Sequence, residues 1–252
     1  MIDHKSPAEL ERMRRAGRIV AGTIERVVAV VSPGVSTKDL DDVAEAYIRE
    51  QGAMPSFLGY RGFPASICAS INQEVVHGIP SRERVLTEGD LLSLDFGAIW
   101  EGYHGDSAVT VFVGGDAPST EAEKLVRITE EALEAGIAAV RPGGRLTDIS
   151  HAIEQVVRGA GFELVREWGG HGIGRNLHED PHILNYGAPG RGPEMRPGLV
   201  VAIEPMVIMG NWPTEVLADG WTVVTADGSL AAHFEHTVAV TEGGREILTA
   251  RG

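Results

Sequence analysis

Four carboxylates stand in segments that otherwise read as strands: Asp95, Asp106, Glu204 and Glu235. Asp95 interrupts the apolar run LLSLDFGAIW, and Glu204 lies inside LVVAIEPMVIM. A carboxylate buried in such a run must be paired, protonated or bound to a cation. Asp95 and Asp106 flank a predicted hairpin, LLSLDFGAIW–EGY–HGDSAVTVFV. A turn centred near Trp100–Glu101 puts them opposite each other, and a slip of one or two residues makes them diagonal neighbours. Either arrangement keeps the side chains within about 5–8 Å if they share a face. Like charges so placed destabilise a sheet, which calls for a compensating cation; Asp106, following Gly105, also reads as a turn cap. Glu235, in HFEHTVAV, shares a predicted strand face with His233 and Thr237, while Phe234, His236 and Val238 point the other way. Singly, each carboxylate fits a structural ion pair. Together they suggest two divalent ions with bridging carboxylates. Oxygen-rich ligation with one or two imidazoles suits Mn, Fe, Co or Zn in a hydrolytic pair rather than a structural zinc. Two ions about 3.5–4 Å apart can share a hydroxide and polarise a carbonyl.

The imidazoles come from GGHGIGRNLHEDP, residues 169–181. A phosphate loop is excluded by spacing: Asn176 and Leu177 stand where a further glycine is needed, and no G-x-x-x-x-G-K-[S/T] occurs. His171, between Gly170 and Gly172, has a backbone free to approach a cluster, so it is the better ligand candidate. His178 could reach the same cavity as a hydrogen-bond donor to an oxyanion. His77, in VVHGIP, falls at a predicted strand end. His4, His104 and His151 have no such context and read as surface residues.

The elements that must position these groups show a weak internal repeat. VSPGVSTKDLDDVAEAYIREQG, from Val31, lies over VRPGGRLTDISHAIEQVVRGAG, from Val140, at an offset of 109 residues. Leu40, Val43, Ala44, Tyr47 and Ile48 make the apolar face of an amphipathic helix, as do Ile149, Ala152, Ile153, Val156 and Val157. Each is preceded by another helical pattern, about 8–31 and 119–140. The same offset places Gly89 over Gly198 and Asp95 over Glu204, and farther on Asp106 falls over Glu235 with a longer loop in the second half. The predicted architecture is α+β: one catalytic domain over residues 1–252, made of two helix–helix–strand halves, roughly 8–115 and 119–240. A pseudo-two-fold relates the halves, and each contributes two carboxylates to a shared centre.

The net charge of −14 argues against a general nucleic-acid or anionic-membrane surface. The single cysteine, Cys68, rules out an intrachain disulfide and fits a reducing compartment. No run is apolar and long enough for a signal peptide or a membrane span, so a cytoplasmic, soluble protein is expected.

With these segments in hand, the chain resembles the type I (bacterial-style) methionine aminopeptidases of the M24 metallopeptidase family. GHGIGRNLHEDP, SLDFGAIWEGYHGDSAVT, AIEPM, FEHTVAVT and INQEVVHGIP carry the resemblance, which extends over essentially the whole chain. Prolidase and aminopeptidase P share a GHGIG-like segment but usually carry a large N-terminal domain, for which there is no room here. The short interval from Glu204 to Glu235 leaves no space for the helical insertion of type II enzymes. The resemblance implies the pita-bread fold, a central curved antiparallel sheet covered by helices. It implies hydrolytic removal of the initiator methionine from nascent proteins and peptides. It implies two divalent ions per chain (Co, Mn, Fe or Zn), with Asp95 chelating one, Asp106 and Glu235 bridging, and His171 with Glu204 completing the other. Glu204 would double as general base, and His77 and His178 would hydrogen-bond the substrate amide and the developing oxyanion. The implied methionine pocket is lined by Tyr60, Phe63, Cys68, Leu177 and Trp221. The family often has tyrosine at Phe63, phenylalanine at Leu177 and cysteine at Phe57. A monovalent-cation site is known in the family near the position of Asn72; its side-chain partner on the last strand would be Ala231, so the resemblance does not carry that site over. A monomer is implied, as is a substrate compatible with transient ribosome association.

Overall fold

The computed structural model describes residues 2–251. Two helices open the first half, α1 (Pro7–Val28) and α2 (Thr37–Glu50). They are followed by β1 (Met54–Pro55), β2 (Ile67–Ile71), β3 (Glu74–Val76), β4 (Leu91–Trp100) and β5 (Tyr103–Phe112). The second half repeats the order with α3 (Thr120–Ala139) and α4 (Leu146–Gly159). Then come β6 (Glu163–Leu164), β7 (Gly170–Gly172), β8 (Glu179–Ile183), β9 (Val200–Ile203) and β10 (Met206–Ile208). An excursion, β11 (Thr214–Val216) and β12 (Val223–Thr225), precedes β13 (Ala231–His233), β14 (His236–Thr241) and β15 (Gly244–Ile247).

The repeat in the sequence has a local physical cause. Ser36 caps α2, and its backbone N–H donates to Asp39 Oδ2 at 3.1 Å; at the start of α4 the Arg145 N–H donates to Asp148 Oδ2 at 3.0 Å. The recurring aspartate is therefore the third residue of each helix, satisfying a backbone donor that the helix itself leaves free. The turns before the helices are pinned alike, by Gly34 N–H to Leu86 O and Gly143 N–H to Met195 O, both 2.8 Å. Isolated antiparallel bridges join Ser36 to Val85 and Arg145 to Glu194. Gly89 and Gly198 both take left-handed φ, +80° and +89°, as they enter β4 and β9.

Strand pairing is antiparallel throughout the described residues. In one sheet β4 pairs with β5 along its whole length and with β2 and β1 in turn along its other edge; the largest sheet has the order β15-β14-β9-β7-β8. Two three-stranded sheets, β13-β10-β6 and β11-β12-β3, complete the set. The halves are stitched where β5 passes β14: Asp106 N–H donates to Thr237 Oγ1 (3.0 Å) and Thr237 Oγ1 donates to Asp106 O (2.7 Å). Glu235 N–H donates to Ala108 O at 3.1 Å. Apolar stripes of all four helices, Ile19, Leu40, Leu133 and Ile153 among them, pack on strand residues such as Leu92, Leu94, Val201 and Ile203 in one continuous core. The opposite, concave side of the strands is left to the carboxylates.

Two expectations need correction. HFEHTVAV is not one strand: β13 ends at His233 and β14 begins at His236, so simple alternation across Glu235 does not apply. Of the three histidines expected at the surface, His4 is exposed and His151 half-buried, but His104 is buried. Its Nδ1 lies 2.9 Å from Ser56 Oγ, and its backbone N–H donates to Gly174 O at 2.8 Å. A short polar partner from a neighbouring loop satisfied the ring, and the strand then carried it inside.

Candidate metal centre and adjoining cavity

The β4–β5 hairpin closes at Glu101–Gly102, both with positive φ (48° and 79°), the conformation that a two-residue type I′ turn requires. That turn sets the register: Asp95 faces Ala108, and Asp106 faces Gly97. The two aspartates are thus diagonal neighbours on one face, close enough to hydrogen-bond through a shared proton. Gly97 is required beside them, because a Cβ there would lie 2.6 Å from Ser56 Cβ and 2.8 Å from the Phe57 ring.

Glu204 and Glu235 occupy matching breaks. Ile203 pairs with His236 in the large sheet, and Met206 pairs with His233 in a small one. The linkers Glu204–Pro205 and Phe234–Glu235 face each other where both strands leave one sheet for another. Freed from the pleat, the two carboxylates turn toward the hairpin aspartates. Asn185 Nδ2 holds the linker by donating to Glu204 O at 2.9 Å.

His171 lies on β7, between Ala202 of β9 and His182 of β8. The glycines around it allow close strand packing: a Cβ on Gly170 would meet Ala202 O at 2.3 Å, and one on Gly172 would meet Asp180 O at 2.1 Å. His171 Nδ1 donates to Gly172 O at 2.9 Å, which leaves the lone pair on Nε2. That nitrogen points at Glu204 Oε1, 3.6 Å away. Two lone pairs facing each other at this distance need a proton or a metal cation between or beside them.

The chemistry of the donor set fits a metal. Ligand atoms of Asp106, His171 and Glu235, all buried, lie within 4.8 Å of one another. Asp95 Oδ1, Asp106 Oδ1 and Glu235 Oε1 are buried without a hydrogen-bond partner among the described residues. Without a cation, burial raises Asp95 to about 7 against the lowering effect of its hydrogen bond with Asp106, and burial followed by the charge of Asp95 raises Glu204 to about 8. Asp106 and Glu235 rise well above their ordinary values for the same reasons. Burial pushes the opposite way on His171, lowering it to about 3, so the imidazole is neutral and able to ligate.

A cavity of about 300 Å³ opens on the cluster. It is lined by all twelve side chains singled out from the sequence: Asp95, Asp106, His171, Glu204, Glu235, His77, His178, Tyr60, Phe63, Cys68, Leu177 and Trp221. Phe63, Cys68 and Leu177 are buried at its apolar end, and Phe63 meets Trp221 edge-on with ring centroids 5.1 Å apart. His178 stacks on Tyr60 (5.5 Å), whose hydroxyl lies 2.9 Å from His178 Nδ1, and its ring is 4.1 Å from that of His171. His77 follows β3 with φ +61° and is wedged edge-on against Trp168 and Trp221, 5.4 and 6.2 Å away. Burial lowers His77 to about 4 and also lowers His178, so both rings are neutral near pH 7.

The lining also contains Arg61, Trp168 and Val216, which sequence reading missed. Trp168 had one available signal, its place immediately before the glycine-rich segment. Val216 and Arg61 had none, because an exposed three-residue strand and a single exposed turn are too short to show periodicity. His233, placed by alternation on the Glu235 face, comes instead within 3.7 Å of Glu204.

The chain matches metallopeptidase family M24 over residues 11–242. It is 55% identical to methionine aminopeptidase 1 of Bacillus subtilis (strain 168), over 99% of each chain. Among solved structures, methionine aminopeptidase from Thermotoga maritima superposes with a TM-score of 0.97 at 47% identity, covering 100% of both chains. Prolidase from Pyrococcus furiosus shares the pita-bread fold, with a TM-score of 0.78 at 22% identity, over 99% of this chain and 66% of that one.

Proposed function

The chain belongs to metallopeptidase family M24, and on that premise we propose that it is a methionine aminopeptidase, cleaving methionine from the N-terminus of peptides. The observation that carries this reading is the junction of a buried carboxylate–imidazole cluster with an apolar slot in one cavity. The thiol and aromatic walls of the slot suit a thioether.

In this proposal Asp95, Asp106, His171, Glu204 and Glu235 hold two divalent ions, with Mn, Fe, Co and Zn all compatible with the donor set. Such ions supply Lewis acidity toward a carbonyl oxygen and lower the pKa of water. Glu204 serves as general base, its carboxylate taking the proton of the attacking water and delivering it to the leaving amine. With the Tyr60 hydroxyl, 2.9 Å from His178 Nδ1, acting as donor, Nε2–H is free to hydrogen-bond the developing oxyanion. His77, held upright between two indoles, offers its ring to the scissile amide. Tyr60, Phe63, Cys68, Leu177 and Trp221 enclose the methionine side chain. No helix among the described residues is long and apolar enough to cross a membrane. The setting we propose is a cytoplasmic monomer that meets nascent chains, in transient contact with the ribosome.

The test is peptide cleavage by metal-stripped protein reloaded with Mn²⁺ or Co²⁺. Free methionine should be released from Met-Ala-Ser, while Ala-Ala-Ser and an Xaa-Pro peptide should stay intact. Preference for the Xaa-Pro peptide, or no metal-dependent cleavage of any of the three, would overturn the proposal.

A further inference from the structure

His233 is buried, at 2% exposure, and its Nε2 has no hydrogen-bond partner among the described residues. Leaving a buried imidazole nitrogen unpaired is costly, so a native fold that keeps one there has a use for it. Its environment is tightly built. The backbone N–H accepts no freedom: it donates to Thr110 Oγ1 at 2.9 Å, and Thr110 Oγ1 in turn donates to His233 O at 2.7 Å. Ser93 Oγ, 2.8 Å from Thr110 Oγ1, anchors that hydroxyl to β4. On the other side His233 pairs with Met206, two residues beyond Glu204. The ring is thereby directed at Glu204 Oε2, with Nε2 3.7 Å from it, while His171 Nε2 addresses Oε1 at 3.6 Å. Each oxygen of the Glu204 carboxylate thus faces one imidazole.

The two imidazoles do not play the same part. The Nδ1 donation of His171 to Gly172 O makes its Nε2 an acceptor, fit for a metal. His233 Nε2 belongs to no group of three ligand atoms within 4.8 Å of one another among the described residues, whereas His171 does. A nitrogen lacking other ligands but facing a carboxylate oxygen is suited to donate. We infer that His233 is a positioning residue: its Nε2–H hydrogen-bonds Glu204 Oε2, fixing the carboxylate so that Oε1 faces the metal alongside His171. A small rotation of either side chain brings 3.7 Å into hydrogen-bond range. This inference rests on the reading of the cluster as a metal centre in which Glu204 takes part.

The test uses the full-length protein with His233→Leu and His233→Gln, the latter keeping a donor. Mn²⁺ affinity of the stripped proteins is measured by titration calorimetry, and kcat and KM on Met-Ala-Ser are measured separately. Outer hydrogen-bond partners of metal ligands are worth about 10–100-fold in affinity or activity. Expected for His233→Leu is Mn²⁺ binding about tenfold weaker and a fall in kcat with KM near wild type, largely restored in His233→Gln. Nitrogen-15 NMR of the Zn²⁺-loaded wild type, which needs no variant to fold, should show His233 Nε2 protonated. Wild-type Mn²⁺ affinity in a folded His233→Leu, equal impairment of the leucine and glutamine variants, or an unprotonated, metal-shifted Nε2 would each overturn it. If the wild type fails to cleave Met-Ala-Ser, the activity assignment falls, and the metal titration still decides the role of His233.

Discussion

Stripping the metal should reverse the usual pH dependence of stability above neutrality. In the metal-free protein burial first, and the charge of Asp95 second, raise Glu204 from 4.5 to about 8, and burial raises Asp95 from 3.8 to about 7. Asp106 and Glu235 are raised still more clearly. The unfolded chain releases these protons near pH 4, whereas the native cluster keeps them until pH 7 or above. Native protein then binds more protons than unfolded protein, so stability falls as pH rises through the raised values. Buried histidines oppose this at lower pH. Burial lowers His77, His104 and His236 to about 4 and His171 and His233 to about 3, so stability from them grows as pH rises toward the unfolded value of 6.5. Above about pH 7 that gain is complete and only the carboxylates still titrate. One retained proton across pH 7 to 8.5 amounts to about 2 kcal/mol, at about 1.4 kcal/mol per pH unit. For a domain of this size that corresponds to a fall in Tm of about 4–8 °C. Divalent ions hold the carboxylates deprotonated and remove the repulsion, so saturating Mn²⁺ should abolish the slope. Differential scanning calorimetry with chelator, against the same series with Mn²⁺, measures both. A metal-free Tm that is level or rising from pH 7 to 8.5, or an equal fall with metal present, would refute the reasoning.

Replacing Glu204 by Gln keeps the shape of the side chain and removes the base; kcat for methionine release from Met-Ala-Ser should drop about 10³-fold, with the circular dichroism spectrum unchanged. Gly172→Ala would force a Cβ to 2.1 Å from Asp180 O, backbone that cannot swing aside; a loss of about 3 kcal/mol in denaturant unfolding is expected, along with weakened metal binding through His171. Cys68 is buried, and burial, followed by the negative charges of Asp95 and Asp106, pushes its thiol up. Native protein at pH 8 should therefore resist iodoacetamide, whereas unfolded protein reacts at the one site, as mass spectrometry of alkylated peptides would read out.

Helices, turns and the internal repeat were legible because their causes are local. A Pro-Gly turn, a recurring aspartate, an apolar stripe and a closing glycine each act within a few residues, so α2 and α4 could be placed from sequence. The diagonal placement of Asp95 and Asp106 was one of the registers open to the hairpin, and the Glu101–Gly102 turn selected it. His104 and the break after His233 were not legible. Both depend on groups distant in sequence: Ser56 meets the His104 ring, and β5 supplies the partner for Glu235 N–H. The twelve site residues were named partly from residue chemistry and partly from family resemblance, and the fold brings them to one cavity.

What the sequence by itself determined is which side chains are anomalous: carboxylates in apolar strands demand a counter-charge wherever the chain takes them. Their convergence is another matter. It arises because two strand pairs switch sheets at facing breaks while a type I′ turn fixes the hairpin opposite them. Tertiary structure also decided the tautomer of His171, through a single carbonyl, and the direction in which His233 points, through Thr110. Ligand direction is set by hydrogen bonds between residues far apart in the chain, and that information no local pattern carries.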